Sequence, residues 1–350
     1  MRGLPAAAAD RADAADRADA EGELYARPSW LPPVWLVLVS LTVLEAANEI
    51  FGIGGPSALY ETWFHDGILV AASLLILARA AYEPRARGAW LAFGVAMSAW
   101  SAGSIAWGIA YGGSSSVPYP TFADILWLLW YPLMVVGIAR LIRLRVRNFE
   151  LHRWMDGIAV TLVVLVAGFA FVVQPVADRA SQSTLATVVD FSYPVLDILL
   201  IGAVLGVYGL VGWHPDRMWL LIGAGTLMTT IADAAFAVQE ARGVADDSHY
   251  DFVWTAGALC LAYAAWVRVP AGRRRVERVT GLRAVALPLL AQALAGGIQI
   301  YGLFRPVDSS EEIVTLVVLV VASIQIVLTR PRPEARSGTT EPDRPASGPP

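Results

Sequence analysis

Eight acids fall in or beside stretches that are otherwise apolar: Glu45, Glu49, Asp66, Asp124, Asp190, Asp197, Asp233 and Asp251. Two of them follow Tyr-Pro pairs, Asp124 in "YPTFADILWLLWYP" (119–132) and Asp197 in "YPVLDILLIG" (193–202). Aromatic residues crowd the same stretches, among them Trp107, Tyr111, Tyr119, Trp127, Trp130, Tyr193, Phe236, Tyr250 and Trp254. Carboxylates and aromatic faces together attract cations, so the composition suits a pocket for a cationic or amphipathic ligand. The expected pocket is lined by Glu45, Asp124, Asp197, Asp233 and Asp251 with Trp127, Tyr193 and Trp254. If those acids converge they repel, and a proton or a bound cation would relieve the repulsion. A plainer chemistry competes. A carboxylate in the first turn of a helix favours the helix dipole, and a preceding proline sets the entry of the chain, which accounts for Asp124 and Asp251 as caps beside interfacial Trp. Asp197, Glu45 and Asp233 sit deeper than a cap should. Intramembrane acids are costly and turn toward a bundle interior or a wet cavity, where they bind a ligand or hold helices together by hydrogen bonds.

The elements that position these acids are membrane helices. The chain has 350 residues, 56% hydrophobic and 16% charged, with a mean hydropathy of +0.54; a soluble domain is about 25% charged. Ten apolar segments of bilayer-crossing length stand out: 31–52, 65–82, 89–111, 122–142, 154–175, 191–212, 218–240, 250–268, 281–302 and 312–329. All 26 basic residues are Arg. With the N-terminus in the cytoplasm, the outer loops hold only Arg179, Arg242 and Arg305, and every other Arg falls on the inner side. Missing or adding one helix scrambles that sorting, so the positive-inside rule predicts ten spans with both ends cytoplasmic. The expected fold is an all-α polytopic membrane bundle in the inner (cytoplasmic) membrane. In that topology the eight acids lie in the outer half, at or inside the outer starts of helices. Asp156, beside Arg153 at the inner start of the fifth segment, reads as a cap or ion pair. Residues 1–28 alternate Ala, Asp and Arg without the apolar core of a signal peptide, and 331–350 are rich in Pro, Ser, Gly and charge; both are expected to be disordered cytoplasmic tails.

The chain also repeats itself. "HDGILVAASLLILARAAYEPRARGAWLAFG" (65–94) matches "LDILLIGAVLGVYGLVGWHPDRMWLLIG" (196–223), pairing Asp66 with Asp197, Pro84 with Pro215 and Trp90 with Trp219. "FADILW" matches "HYDFVW", pairing Asp124 with Asp251 and Trp127 with Trp254. An offset near 130 carries segments 2, 3 and 4 onto 6, 7 and 8, and makes partners of 1 and 5. Four helices per copy keep both copies in one orientation, a parallel repeat about an axis along the membrane normal. Repeat one covers about 31–145 and repeat two about 152–270, with segments nine and ten (281–329) extra.

Several function classes lack their residues. The four His, at 65, 152, 214 and 249, lie outside mid-helix positions, which disfavours axial haem ligation. No Cys/His zinc cluster, phosphate-binding Walker loop or Gly-x-Ser-x-Gly elbow is present. Cys260 lies in an apolar run and reads as a packing residue. The basic stretch "RVPAGRRRVERVTGLR" (268–283) fits the positive-inside signal and anionic lipid headgroups, with nucleotide or partner docking as the minority alternative. No cofactor and no nucleic-acid partner are expected; the lipid bilayer is the first partner, and oligomers are open.

The order "PTFADILWLLWYPLMVVGIARLIR", "RWMDGIAVTL", "YPVLDILLIG", "GWHPDRMWLLIGAG" and "DFVWTAGALCLAYAAW" resembles the N-terminal membrane-sensor region of bacterial GGDEF/EAL signalling proteins, which make and break cyclic di-GMP. The resemblance covers about residues 30–330 and matches Asp124, Trp127, Tyr193, Asp197, Asp251 and Trp254 to its motif positions. The chain carries no Gly-Gly-Asp/Glu-Glu-Phe and no Glu-Ala-Leu stretch, so catalytic activity does not carry over. What the resemblance implies is a sensory or regulatory membrane module, not an enzyme, that signals to a cytoplasmic partner or belongs to a longer signalling protein. A small-solute or ion transporter and a membrane lipid-modifying enzyme are the alternatives.

Overall fold

The computed structural model describes residues 28–53, 59–112, 117–145, 183–211, 213–241 and 250–267, with the isolated positions 319 and 323. Among them the fold is all-helical, with no strand. The expected fifth and ninth segments, nearly all of the tenth, and both terminal tails lie outside the described residues.

Local chemistry sets each boundary. Helix α1, Leu31–Phe51, has proline in its first turn and ends at Gly52, whose φ of 64° is the left-handed conformation that lets its N–H reach Asn48 O at 2.7 Å. A π-helical turn, Leu59–Phe64, leads into α2, His65–Tyr82, and a 3-10 turn, Pro84–Ala86, leads into α3, Arg87–Tyr111. Helix α4 is Phe122–Arg145. Helix α5, Thr184–Leu210, begins seven residues before the expected start at 191, because Ser183 caps it through the N–H of Ala186 and Pro194 is carried inside. Asp197 is therefore a mid-helix residue. Helix α6, Arg217–Ala241, is capped by Asp216, whose Oδ1 accepts from the N–H groups of Met218 and Trp219 at 3.0 and 3.1 Å. Helix α7, Phe252–Trp266, has 15 residues. Six stretches, covering α1 to α6, are long and apolar enough to cross a bilayer, which makes this a multi-pass membrane protein by length and composition; α7 is apolar but shorter.

Helices α2 to α7 form a closed ring in chain order, α2–α3–α4–α5–α6–α7 and back to α2, with α1 outside against α7 and α2. Most neighbours are antiparallel, but two junctions are parallel. Along α4 and α5, Tyr119, Asp124 and Tyr131 meet Asp190, Tyr193 and Asp197 in ascending order. Along α2 and α7, the Trp266 indole donates to Leu75 O and stacks edge-on against Tyr82, so the two C-terminal ends lie together. Helix α1 runs antiparallel to α7, with Trp30 against Trp266, Trp35 against Tyr263 (5.1 Å between ring centroids) and Glu49 against Phe252. Arg79, Arg85, Arg87, Arg140, Arg143 and Arg217 consequently share one end of the ring; seven of the eight acids lie toward the other end, and Asp197 lies at the middle of α5.

Lipid tails are as apolar as Leu, so close packing and hydrogen bonds hold such helices together. Gly225 and Gly257 let α6 and α7 touch through their backbones: a Cβ on Gly225 would meet Gly257 O at 2.7 Å. Gly94 of α3 packs on Leu77 of α2, and Gly223 of α6 packs on Tyr208 of α5. Trp100 and Trp130 stack edge-on between α3 and α4, and Thr229 lies against Gly257 between α6 and α7. Buried Ser73 and Ser101 lie 3.1 Å apart across α2–α3, where one hydroxyl can donate to the other while the other donates to its own helix at Leu69 O or Met97 O. The ring leaves a cavity of about 10 Å³, lined by Leu69, Met97, Trp100, Trp130, Thr229, Trp254 and Ala258; this is space for about one water.

Candidate functional site

Helix α4 presents Asp124 and Tyr131, seven residues apart and so on one face; helix α5 presents Asp190, Tyr193 and Asp197, at spacings of three and four. Because the helices are parallel, these faces mesh as a ladder of Tyr–Asp rungs. At the exposed end the Tyr119 hydroxyl donates to Asp190. In the second rung Tyr193 donates to Asp124 Oδ1 at 2.7 Å. In the third, buried Tyr131 lies 3.1 Å from Asp197 Oδ1 and 3.3 Å from Asp233 Oδ2, joining α4, α5 and α6. Tyr131 and Tyr193 also stack edge-on at 6.5 Å. The ladder alternates which helix supplies the donor.

Each carboxylate has further partners. Asp124 Oδ2 accepts from the backbone N–H of Thr121 at 2.7 Å and its hydroxyl at 2.8 Å. Thr121 precedes the helix and Asp124 lies three positions on, so the carboxylate reaching back to the Thr121 N–H supplies one half of a capping box at the start of α4. The capping explanation and the interhelical one therefore coexist at one side chain. Asp197 Oδ1 also accepts from Thr230 at 3.2 Å, and Asp233 Oδ1 accepts from the Trp254 indole N–H at 2.7 Å. Four helices thus converge on Asp197 and Asp233. The Tyr131 hydroxyl has one proton and two carboxylate neighbours, so this is a compact, donor-poor acidic centre.

Glu45 lies elsewhere. It is fully buried on α1 at the α7–α2 junction, with Oε1 3.0 Å from His65 Nδ1 and Oε2 accepting from Thr255 at 2.7 Å. One helical turn on, Glu49 Oε2 accepts the Phe252 N–H at 3.1 Å, while its buried Oε1 has no hydrogen-bond partner. Asp251 stands at the cap position of α7, where its backbone carbonyl accepts from Trp254 N; its side chain does not cap. Trp127 lies on α4 with its indole nitrogen against Gly103. The eight expected residues accordingly fall into an Asp124–Tyr193 rung, an Asp197–Asp233–Trp254 centre, a Glu45 centre with Asp251 close enough for its charge to act on His65 and Glu49, and Trp127 apart from these. Sequence reasoning left Tyr131, His65, Thr230 and Thr255 without roles. For Tyr131 a signal was present, since its spacing of seven from Asp124 repeats that of Asp190 and Asp197. Among the described residues no three His, Cys, Asp or Glu groups are placed to hold a metal ion.

No family model, curated protein or solved structure matches the chain. The functional reading rests on this geometry and on the sequence.

Proposed function

We propose that the chain is a membrane sensor or regulatory module that recognises a cationic or amphipathic ligand at its acidic end, through the Asp197–Asp233 centre reached along the Tyr–Asp ladder. The observation that carries this reading is the convergence of two carboxyl groups, Asp197 buried and Asp233 half-buried, on one phenol, with Trp254 beside them and a rung exposed at the far end. A ligand ammonium competing for those oxygens would displace the Tyr131 hydroxyl and loosen the contact between α4, α5 and α6. The shift would travel to the arginine-rich end, proposed as cytoplasmic, and be read there by a separate signalling partner. The resemblance to GGDEF/EAL sensor regions supports such an output.

The finer architecture belongs to the same proposal: ten spans, both termini cytoplasmic, and a parallel repeat of helices 1–4 and 5–8. Support comes from equivalent contacts at equivalent positions. Leu77 and Gly94 become Tyr208 and Gly223 at offsets of 131 and 129, and both pairs pack between the corresponding helices. Trp100 and Trp130 become Thr229 and Gly257 at offsets of 129 and 127, again in contact. These matched contacts support the repeat beyond the likeness of two apolar segments.

The test uses the full chain in nanodiscs, titrated with tetramethylammonium and with primary alkylammonium ions of increasing length while tryptophan fluorescence is read. Binding should be lost in Asp197→Asn and Asp233→Asn and kept in Asp246→Asn. Equal binding by all three variants, or none by the wild type, sinks the reading. A second reading, an ion or small-solute transporter, draws on the carboxyl centre lying where the two repeats meet; uptake of the same ions into proteoliposomes, abolished by Asp197→Asn, would select it.

A further inference from the structure

We propose that the interior of the ring binds one water molecule, about one helical turn inward of Asp233, held by the Trp130 indole N–H and the Thr229 hydroxyl. The site lies outside the acidic centre and stands whether or not the chain is a sensor.

Its starting point is a buried donor with no acceptor. Trp130 of α4 is 1% exposed, and its indole nitrogen has no hydrogen-bond partner in the protein. An indole N–H only donates, and a buried donor left unanswered is costly. Its neighbour shows the contrast, for Trp254 gives its N–H to Asp233 Oδ1 at 2.7 Å. Both indoles line the same cavity of about 10 Å³. That is about the least space that holds one water.

Helix α6 supplies the acceptor. Thr226, Thr229 and Asp233 are spaced by three and four, so they share one face of that helix. Asp233 reaches the acidic centre, and Thr229, four residues earlier and about 6 Å inward, lines the cavity. The Thr229 hydroxyl is buried and donates to Gly225 O at 3.1 Å. That bond uses its one proton and leaves its lone pairs free to accept. A water between the two side chains accepts from Trp130 and donates to Thr229, and the thioether of Met97 offers a weaker second acceptor. Buried waters are typically held by about three such bonds to groups the protein cannot otherwise satisfy. The other walls, among them Leu69 and Ala258, contribute only hydrocarbon.

The direction of the bond fixes the class of guest. With the Trp130 N–H turned into it, the cavity repels a cation and calls for a neutral acceptor, and its volume admits nothing larger than water. Trp254 is the partition, since its nitrogen bonds Asp233 while the residue also lines the cavity. An ammonium group at Asp233 would therefore stay on the carboxylate side of Trp254.

The test is NMR of the full chain in detergent micelles, with isotope-labelled indole groups and no added ligand. The Trp130 N–H signal is identified by its loss in Trp130→Phe. In the wild type it should show a cross-peak to water in spite of its burial. Thr229→Val replaces the hydroxyl with a methyl group of similar shape, and Ala258→Val fills the cavity from α7. Each should abolish the water cross-peak while the Trp130 signal itself remains. No water cross-peak in the wild type overturns the site. So does a cross-peak that persists in folded Thr229→Val or Ala258→Val protein, because the water would then lie elsewhere. A Trp130 signal without water contact that shifts in Trp100→Leu would instead assign the donor to the face of the Trp100 ring, 5.1 Å away between centroids, and refute the proposal.

Discussion

Replacing Tyr131 with Phe removes one oxygen atom from the centre of the molecule and leaves the ring packing in place. The hydroxyl stands 3.1 Å from Asp197 Oδ1 and 3.3 Å from Asp233 Oδ2. After the change Asp197 keeps Thr230 at 3.2 Å, and Asp233 keeps Trp254 at 2.7 Å on its other oxygen. The Oδ2 of Asp233 loses the phenol. A buried acceptor stripped of its partner costs about 1–3 kcal/mol, while single side-chain hydrogen bonds inside membrane proteins average about 0.6 and reach about 1.7 kcal/mol. With two oxygens affected and one compensated, the expected loss is about 1–2 kcal/mol. Tyr193→Phe is the internal reference. It removes one bond from Asp124, which retains two from Thr121, so it should cost about 0.6 kcal/mol.

Reversible unfolding in mixed micelles, followed by tryptophan fluorescence, reads both values. A double-mutant cycle of Tyr131→Phe with Asp197→Asn should give a coupling of about 0.5–1.5 kcal/mol, because the groups share a hydrogen bond. If Tyr131→Phe costs no more than Tyr193→Phe, or if the coupling is zero within error, the hydroxyl does not bridge the two acids in the folded protein. The acidic centre would then have to be redrawn around Thr230 and Trp254.

Three other changes test the surrounding structure by the same unfolding assay. Gly225→Ala forces a methyl group toward the rigid Gly257 carbonyl and should cost about 1–3 kcal/mol, whereas Gly67→Ala, with nothing within 4 Å of the added carbon, should be neutral or slightly stabilising. Thr121→Ala removes the hydroxyl bond to Asp124 and keeps the backbone one, so it should cost about 0.6 kcal/mol, and less in a background already carrying Asp124→Ala. Glu45→Ala strips a partner from both His65 and Thr255 and leaves a void on a fully buried position, so a loss of about 2 kcal/mol or more is expected.

The sequence made the spans legible because membrane helices are specified by one-dimensional quantities, run length and the placement of arginine. Six of its segments coincide with helices of crossing length, and a seventh with the shorter α7. The start of α5 was placed seven residues late, at 191, because the Ser183 cap lies upstream in a weakly apolar stretch. Asp124 as a cap was readable from local spacing, since Thr121 is three residues away. Its bond to Tyr193, 69 residues on, was not, because nothing local distinguishes a tyrosine that donates to an acid from one that anchors at an interface. Tyr131 had only its spacing of seven from Asp124 to mark it; its acid partners lie 66 and 102 residues on. His65 and Thr255 meet at Glu45 across chain separations of 20 and 210 residues, beyond any helical period.

The two parallel junctions show how the same architecture holds acids in two ways. At α7–α2 Glu45 and Glu49 arrive on a third helix, beside Asp66 of α2 and Asp251 at the start of α7, and Glu45 is fully buried between a His and a Thr. That centre has no exposed rung, and opening it means lifting α1. At α4–α5 the acids belong to the junction itself, and their donors are phenols that step from the exposed Tyr119–Asp190 rung to the buried Tyr131. Each rung can part without unfolding a helix, because Asp124 stays capped by Thr121 and Asp233 stays bonded to Trp254. A hydrogen bond of about 0.6–1.7 kcal/mol is within the range a ligand's differential affinity can overturn. That difference favours the α4–α5 junction as the moving part of the proposed sensor and the α7–α2 junction, clamped by α1, as its fixed frame.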